Sequence, residues 1–382
     1  MLRFLTAGES HGRALVAIIE GLPAGLALDF ALINNFLQRR QGGYGRGARM
    51  KIECDQVEII SGVRGSFTLG TPLALMINNR DWENWREIMA VGPEAKLNER
   101  VVHRPRPGHA DLAGGLKYQQ KDLRNILERA SARETAIRTA VGAIAQQLLA
   151  VLGIRVQGQV SALGGIQAQV ATKIVDPQLI AASPLFCGDK KATALMLEVI
   201  KKAEKEGDSL GGIVQVVVDG LPPGLGSHVH WDRRLDGRLA QALMSIPAIK
   251  GVEIGAGFSL ASRPGSQAHD VIKYNQEQGF YHQTNHAGGL EGGLSNGEPL
   301  VLRLVMKPIP TLAHPLTSID WWTKEEVQAA VERADVCAVP AVAVVAEAVV
   351  AWVLAEAVSE MFAGDHIREV LFRYHHYLAA IK

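Results

Sequence analysis

The sequence predicts an α+β fold made by internal duplication, with two long central helices, one per half, covered by sheet. Three observations carry this reading. Gly8 to Leu26 (GESHGRALVAIIEGLPAGL) and Gly207 to Leu225 (GDSLGGIVQVVVDGLPPGL) are identical at eight of nineteen positions, at a constant offset of 199. Glu128-Arg129-Ala130 returns as Glu332-Arg333-Ala334 at an offset of 204, each triplet opening an Ala/Val-rich stretch. Between these blocks His109-Ala110 is echoed by His286-Ala287, each followed by paired glycines. The expected organisation is one domain, 1–382, of two related halves, about 1–195 and 200–382, paired about a pseudo-twofold axis. The break is expected within 187–210, where Cys187 to Gly207 is polar and lysine-rich. Ligands often bind where such halves meet.

Each copy of the first block passes from a glycine-flanked turn into an apolar, β-branched run and then a Leu-Pro turn, which predicts turn, buried strand, turn. Gly42, Gly43, Gly45 and Gly47 then mark a loop, not a helix face. Arg104-Pro105-Arg106-Pro107-Gly108-His109 is a stiff, extended segment, because proline restricts itself and the residue before it. Ser131-Ala132-Arg133-Glu134 has the spacing of a capping box and predicts a helix start, with Val141 to Leu152 as its apolar body. Val336 to Val358 is apolar nearly all round. Glu347 and Glu356 interrupt it and Pro340 would kink it, so it reads as a buried core helix and not a membrane span.

Composition excludes more than it names. Forty basic and thirty-nine acidic residues leave no global attraction to nucleic acid or membrane. Cys54, Cys187 and Cys337 lack the spacing of a disulfide framework or a zinc site, so no metal is expected and a reducing cytoplasm fits. The N-terminal residues, charged at Arg3, Glu9 and Arg13, do not form a signal peptide.

The charge is local. Arg39, Arg40, Arg46, Arg49 and Lys51 fall in a stretch without Asp or Glu, and Arg104, Arg106, Arg124, Arg129, Arg133 and Arg138 follow. Arginine's planar fork suits phosphate and carboxylate, and the helix start after Ser131 adds free N–H groups and a positive dipole end. A small polyanion is the expected ligand. An RNA surface is the competing reading, but Tyr44 is the one aromatic in the first loop, and single-strand binders interleave stacking platforms. His11 stands where the second copy has Leu210, so the backbone does not need it and a chemical role explains it better. His109, on its stiff loop, is the second candidate for proton transfer. His228 and His230 read as loop histidines, and His375-His376 as surface.

These motifs resemble those of the chorismate synthase family along essentially the whole chain: GESHG at 8–12, RRQGGYGRGARMKIE at 39–53, RPGHADLAGGLKY at 106–118, RASARETA at 129–136, ALMSIPAIKGVEIGAGF at 242–258, HAGGLEGG at 286–293, KPIPT at 307–311 and RADVCAVPA at 333–341. The resemblance implies a single-domain β-α-β sandwich, with antiparallel sheets over the central helices, assembled as a homotetramer. The implied reaction is the 1,4-anti elimination of phosphate from 5-enolpyruvylshikimate 3-phosphate to give chorismate. It requires reduced FMN without net redox change. By resemblance, His11 protonates the departing phosphate, His109 sets the protonation state of the flavin near N1, and Asp335 with Ser10 relays a proton from the N5 region. Arg40, Arg46, Arg49, Arg106 and Arg133 match substrate-binding positions. Arg129, Ala130, Ser131, Pro247, Ala248, Gly292, Lys307, Pro308, Ile309, Pro310, Thr311 and Arg333 match flavin-binding positions. Pro247 departs from the Asn or Gln of many relatives, which leaves a backbone contact from Ala248. The flexible loop 42–47 reads as a lid over bound ligands. Two sources of reduced flavin stay open, intrinsic reduction by NADPH and a separate flavin reductase.

Overall fold

In the first half, β1 (Arg3–Ala7), β2 (Ala14–Glu20), α1 (Phe30–Gln41), β3 (Val57–Ser61), β4 (Leu73–Asn78) and α2 (Thr135–Ala150) follow one another along the chain. The same kinds of element then recur in the same order: β5 (Arg155–Leu163), β6 (Gly212–Asp219), α3 (Leu235–Met244), β7 (Ile249–Ile254), β8 (Leu300–Met306) and α4 (Val339–Met361). This is a computed structural model, and it describes residues 2–47, 54–277, 279–332 and 335–381. Arg49 and Arg333, both expected at the site, lie outside the described residues.

One sheet pairs in the order β1-β2-β4-β3 and the other in the order β5-β6-β8-β7, with the short strand Ile166–Gln167 on the outer edge of β5, antiparallel throughout. The helix starts Thr135 and Val339 keep the offset of the Glu-Arg-Ala triplets. The helices lie between the two sheets, α2 against the first and α4 against the second. The second run of elements opens at Arg155, ahead of the boundary suggested near 195–200, because 164–211 is inserted between β5 and β6.

The inserted segment also corrects the expected break. Residues Lys190–Glu206 form a helix, with Asp189 accepting from the N–H groups of Lys191 and Ala192, and Gly207 ending it at φ 67°. Its lysines face water, while Ala192, Met196, Ile200 and Ala203 are buried. An amphipathic helix of this kind is polar by composition without being a linker.

The two sheets differ on their outward faces. In β2, Leu15, Ala17 and Ile19 turn inward, while Val16 and Ile18 join Leu5 of β1 on an exposed face. The outward face of the second sheet holds glutamines that are polar yet buried: Gln157 donates to the carbonyl of Val175 and Gln215 to that of Ala171.

Helix α4 is buried on nearly every side. It is the one helix among the described residues long and apolar enough to cross a membrane, and the protein interior covers it. Its central Glu347 is held by Arg39 at 2.8 Å, Gln146 at 3.1 Å and the N–H of Gly158 at 3.1 Å, as a buried charge requires. At Gly142 of α2, an added Cβ would stand 2.3 Å from the carbonyl oxygen of Ala348, so α2 and α4 cross in backbone contact.

Candidate active site

A cavity of about 1120 Å³ opens where α1, the 100–110 loop, the start of α2, residues 246–248 and 306–311, and the approach to α4 converge. Both halves line it. Among the described lining residues eight are cationic (Arg40, Arg46, Arg100, Arg104, Arg106, Arg124, Arg133 and Lys307) and three acidic (Asp81, Glu332 and Asp335). Ala338, Ala341, Val342 and Val345 of the α4 region form an apolar wall. The volume exceeds the roughly 300–1,000 Å³ of single-ligand pockets, and the surplus of cations suits more than one anionic group.

His11 reaches the cavity from the turn between β1 and β2. Gly8 makes that turn at φ 111°, where a Cβ would lie 2.4 Å from the carbonyl oxygen of Ala14. The N–H of Ser10 donates to the carbonyl of Glu128 at 2.9 Å. The N–H of His11 donates to Oε2 of the same residue at 2.8 Å, and His11 Nδ1 lies 2.8 Å from Oε1. Trp85 stacks on the imidazole at 3.8 Å between centroids. Arg124 donates to Glu128 at 3.1 Å and to Glu332 at 3.1 Å, so it bridges the two glutamates of the repeated triplet. Burial would raise the Glu128 carboxyl, but the hydrogen bonds and charge of His11, with Arg124, outweigh it and hold it below the ordinary carboxylate range.

His109 sits in a second tight network. Its Nδ1 lies 2.6 Å from Oδ1 of Asp111, and Arg106 spans both oxygens of that carboxylate at 2.8 and 3.1 Å. Arg106 also donates to Thr311 Oγ1 at 3.1 Å. Asp111 is fully buried in the first turn of the helix Asp111–Tyr118. Burial pushes its carboxyl up, and the bonds from His109 and Arg106 more than reverse this, holding it far below the usual range.

The arginines of the 39–47 stretch, where Arg39 and Arg40 stand in the last turn of α1 and not in a loop, have acidic partners from distant parts of the chain, although that stretch itself has no Asp or Glu. Arg39 pairs with Glu347, Arg40 lies 3.9 Å from Asp55, and Arg46 pairs with Asp335 at 2.9 Å. Asp55 also takes Arg133 at 2.5 Å. Buried cations of a folded chain find carboxylates wherever the fold brings them, not in the local sequence. The described part of the loop is also fastened: Tyr44 N–H donates to Pro184, Gly45 accepts from Val336 and Cys337, and Gly47 N–H donates to Asp335 at 2.6 Å. Burial pushes the Cys337 thiol up to about 11.

The expected capping box takes another form. Ser131 accepts from Arg133 N–H at 3.3 Å and caps a 3₁₀ turn, Ala132–Glu134, after which α2 starts; Glu134 pairs with Arg138. Of the expected residues, Ser10, His11, Arg40, Arg46, Arg106, His109, Ala130, Ser131, Arg133, Pro247, Ala248, Lys307, Ile309, Pro310, Thr311 and Asp335 line one cavity. Arg129 lines it no more than Pro308 does, and turns instead to the carbonyls of Gly8 and Thr6. Gly292 occupies the turn of a small hairpin, Leu290–Glu291 with Leu294–Ser295, away from the lining. Trp85, Asp55 and Asp111 were not among the residues expected at the site, and Arg124 was expected only as one cation of the arginine cluster. Glu128 stood out only as part of a repeat, and that repeat was the available signal.

The comparisons agree with one another. Residues 2–359 match the family model described as chorismate synthase. A chorismate synthase of Moorella thermoacetica is 63% identical over 384 residues, covering 100% of both chains. One of Desulforamulus reducens is 59% identical, covering 98% of this chain and 97% of the relative. A crystal structure of chorismate synthase superposes with a TM-score of 0.81 at 42% identity, covering 100% of this chain and 98% of the other.

Proposed function

The chain belongs to the chorismate synthase family, and from that premise we propose how its cavity carries out the reaction. The activity is that of a lyase of the shikimate pathway: 5-enolpyruvylshikimate 3-phosphate loses phosphate and a hydrogen in a 1,4-anti elimination and becomes chorismate. The observation that carries the assignment of roles is His11, clamped by Glu128 and Trp85 at the edge of a cavity rich in arginine. His11 gives a proton to the phosphate oxygen as its bond to carbon breaks. Arg40, Arg46, Arg106 and Arg133, with Arg49, bind the phosphate and two carboxylates of the substrate through charge-assisted hydrogen bonds.

The fit of a flavin rests on the cavity's size, its apolar wall and its surplus of cations. FMN would be held by Ala130, Ser131, Pro247, Ala248, Lys307 and Ile309 to Thr311, with Arg333. Arg129 acts as the clamp that ties Ala130 and Ser131 to β1, while Pro308 and Gly292, flavin-binding positions by resemblance, lie outside the lining. Bound in the cavity, reduced FMN would supply the electron density that the elimination needs. His109, backed by Asp111, would set the protonation state of the bound flavin, and Asp335 with Ser10 would take up the proton that the substrate loses. The chain works as a single domain of two related halves, as a homotetramer, in the cytoplasm. An anaerobic assay with chemically reduced FMN should yield chorismate; a folded, FMN-loaded protein that yields none would sink the proposal. Repeating the assay with NADPH as sole reductant separates intrinsic flavin reduction from supply by another reductase.

A further inference from the structure

We propose that Glu128 is the positioning residue of His11, holding the imidazole through Nδ1 so that Nε2 is the nitrogen that exchanges a proton with the cavity. The inference rests on the reading of His11 as the proton donor. Glu128 grips His11 twice, at the backbone N–H through Oε2 and at the ring through Oε1, each at 2.8 Å. The first bond fixes where the residue sits and the second fixes how its ring is turned. With Trp85 stacked at 3.8 Å on one face, the ring has little freedom left. A buried carboxylate accepts and does not donate, so the hydrogen on the gripped nitrogen stays with the histidine. Nε2 is then the position at which the proton leaves.

Arg124 completes the arrangement. It is buried, packs over the Trp85 ring at 5.0 Å, and bonds Glu128 at 3.1 Å, so the carboxylate that grips His11 is itself held and neutralised. The second repeat provides the contrast. There Leu210 replaces the histidine, and Glu332, the counterpart of Glu128, is more open to solvent and pairs with the same Arg124. A glutamate kept where its histidine is gone admits a purely structural role for Glu128, as an anchor for Arg124. The experiment has to separate anchoring from positioning.

The substitution Glu128→Gln keeps the shape and removes the charge. It should lower kcat on the order of 100-fold or more, as losing the carboxylate behind a catalytic histidine does elsewhere, with KM changed less than about 3-fold. In a His11→Ala background the same substitution should change kcat less than about 2-fold, because coupled residues are non-additive. An anchoring role predicts equal losses in both backgrounds, and that result would overturn the proposal. In the ligand-free protein, ¹⁵N NMR of the ring in mildly alkaline buffer should show the Nδ1–H tautomer, and a mixture in Glu128→Gln. An unchanged tautomer in the variant would also overturn it. If Glu128→Gln does not fold, Glu128→Asp is put through the same cycle: a preserved tautomer with reduced kcat and the same non-additivity supports positioning, and additive losses refute it. The NMR needs no turnover, so a wild-type protein that makes no chorismate would sink the functional reading and still leave Glu128 decided.

Discussion

The turn Gly8–Gly12 and its repeat Gly207–Gly211 begin from nearly the same sequence and do different work. In the first, the carboxylate and carbonyl of Glu128 take the N–H groups of His11 and Ser10, and the imidazole lines the cavity. In the second, the N–H of Leu210 donates to Val336, whose own N–H donates to Gly45, and Ser209 Oγ donates to Ile309. The repeat thus buttresses the arginine loop and the 309 segment that line the same cavity. The His109 echo divides in the same way. Arg106 and His109 line the cavity with Asp111 behind them, whereas Arg263, His286 and Asp270 recur as a cluster in which Asp270 accepts from the backbone of His286 and Ala287. On the proposed reading, one copy carries the chemistry and the other carries the frame.

The largest expected effect is His11→Ala. A general acid typically contributes about 100- to 10,000-fold, so kcat should fall by that much. The thermal midpoint should hold, since Leu210 shows that the turn tolerates an apolar residue. Wild-type-like turnover with fully reduced FMN would remove His11 from the chemistry and break the comparison.

Asp111→Ala should come next, costing about 3–5 kcal/mol of stability, because it leaves Arg106 buried without its carboxylate. The pH dependence has a definite sign. The folded-state carboxyl is depressed, so its contribution is fully present above the ordinary carboxylate pKa and is lost as pH falls below it. Urea denaturation of both proteins should show their difference shrinking below about pH 4. A constant difference down to acid pH would show that Asp111 acts through packing alone.

Arg46→Glu should weaken substrate binding about 10- to 100-fold, the worth of one charge-assisted bond of about 1.5–3 kcal/mol. Lys201→Glu is the control, since Lys201 pairs with Glu198 on an exposed helix face. Isothermal titration with FMN-loaded protein measures both. Equal affinities would mean that the loop buttressed by the second repeat is not a substrate clamp.

Much of this was legible in the chain because it was written locally. The duplicated turns pointed to two strands, of which β6 is buried and β2 is buried on one face only; the Glu-Arg-Ala triplets pointed to α2 and α4, although the first triplet closes the helix Arg124–Ala130 and α2 starts at Thr135; and the missing histidine at Leu210 pointed to His11. What stayed hidden depends on contacts between distant residues. Asp55 carries no motif, yet it holds Arg133. Trp85 comes from a 3₁₀ turn region without periodicity, and only folding lays it on His11. The 187–207 stretch misled because its lysines dominate the composition, while the apolar stripe Ala192, Met196, Ile200 that makes it a packed helix is sparse.

Leu210→Ala should have the smallest effect and tests the frame directly. Leu210 is partly buried and packs against the core, so its truncation should cost about 1–2 kcal/mol, below the roughly 2–5 kcal/mol of a fully buried leucine. The hydrogen bond to Val336 is made by the backbone of Leu210 and survives the change. The arginine loop therefore keeps its support, and kcat should stay within about 3-fold of wild type while KM rises slightly. Urea denaturation and anaerobic turnover report the two quantities separately. A kcat loss approaching that of His11→Ala would mean that the second turn takes part in the chemistry, and the division between a reacting copy and a framing copy would fail.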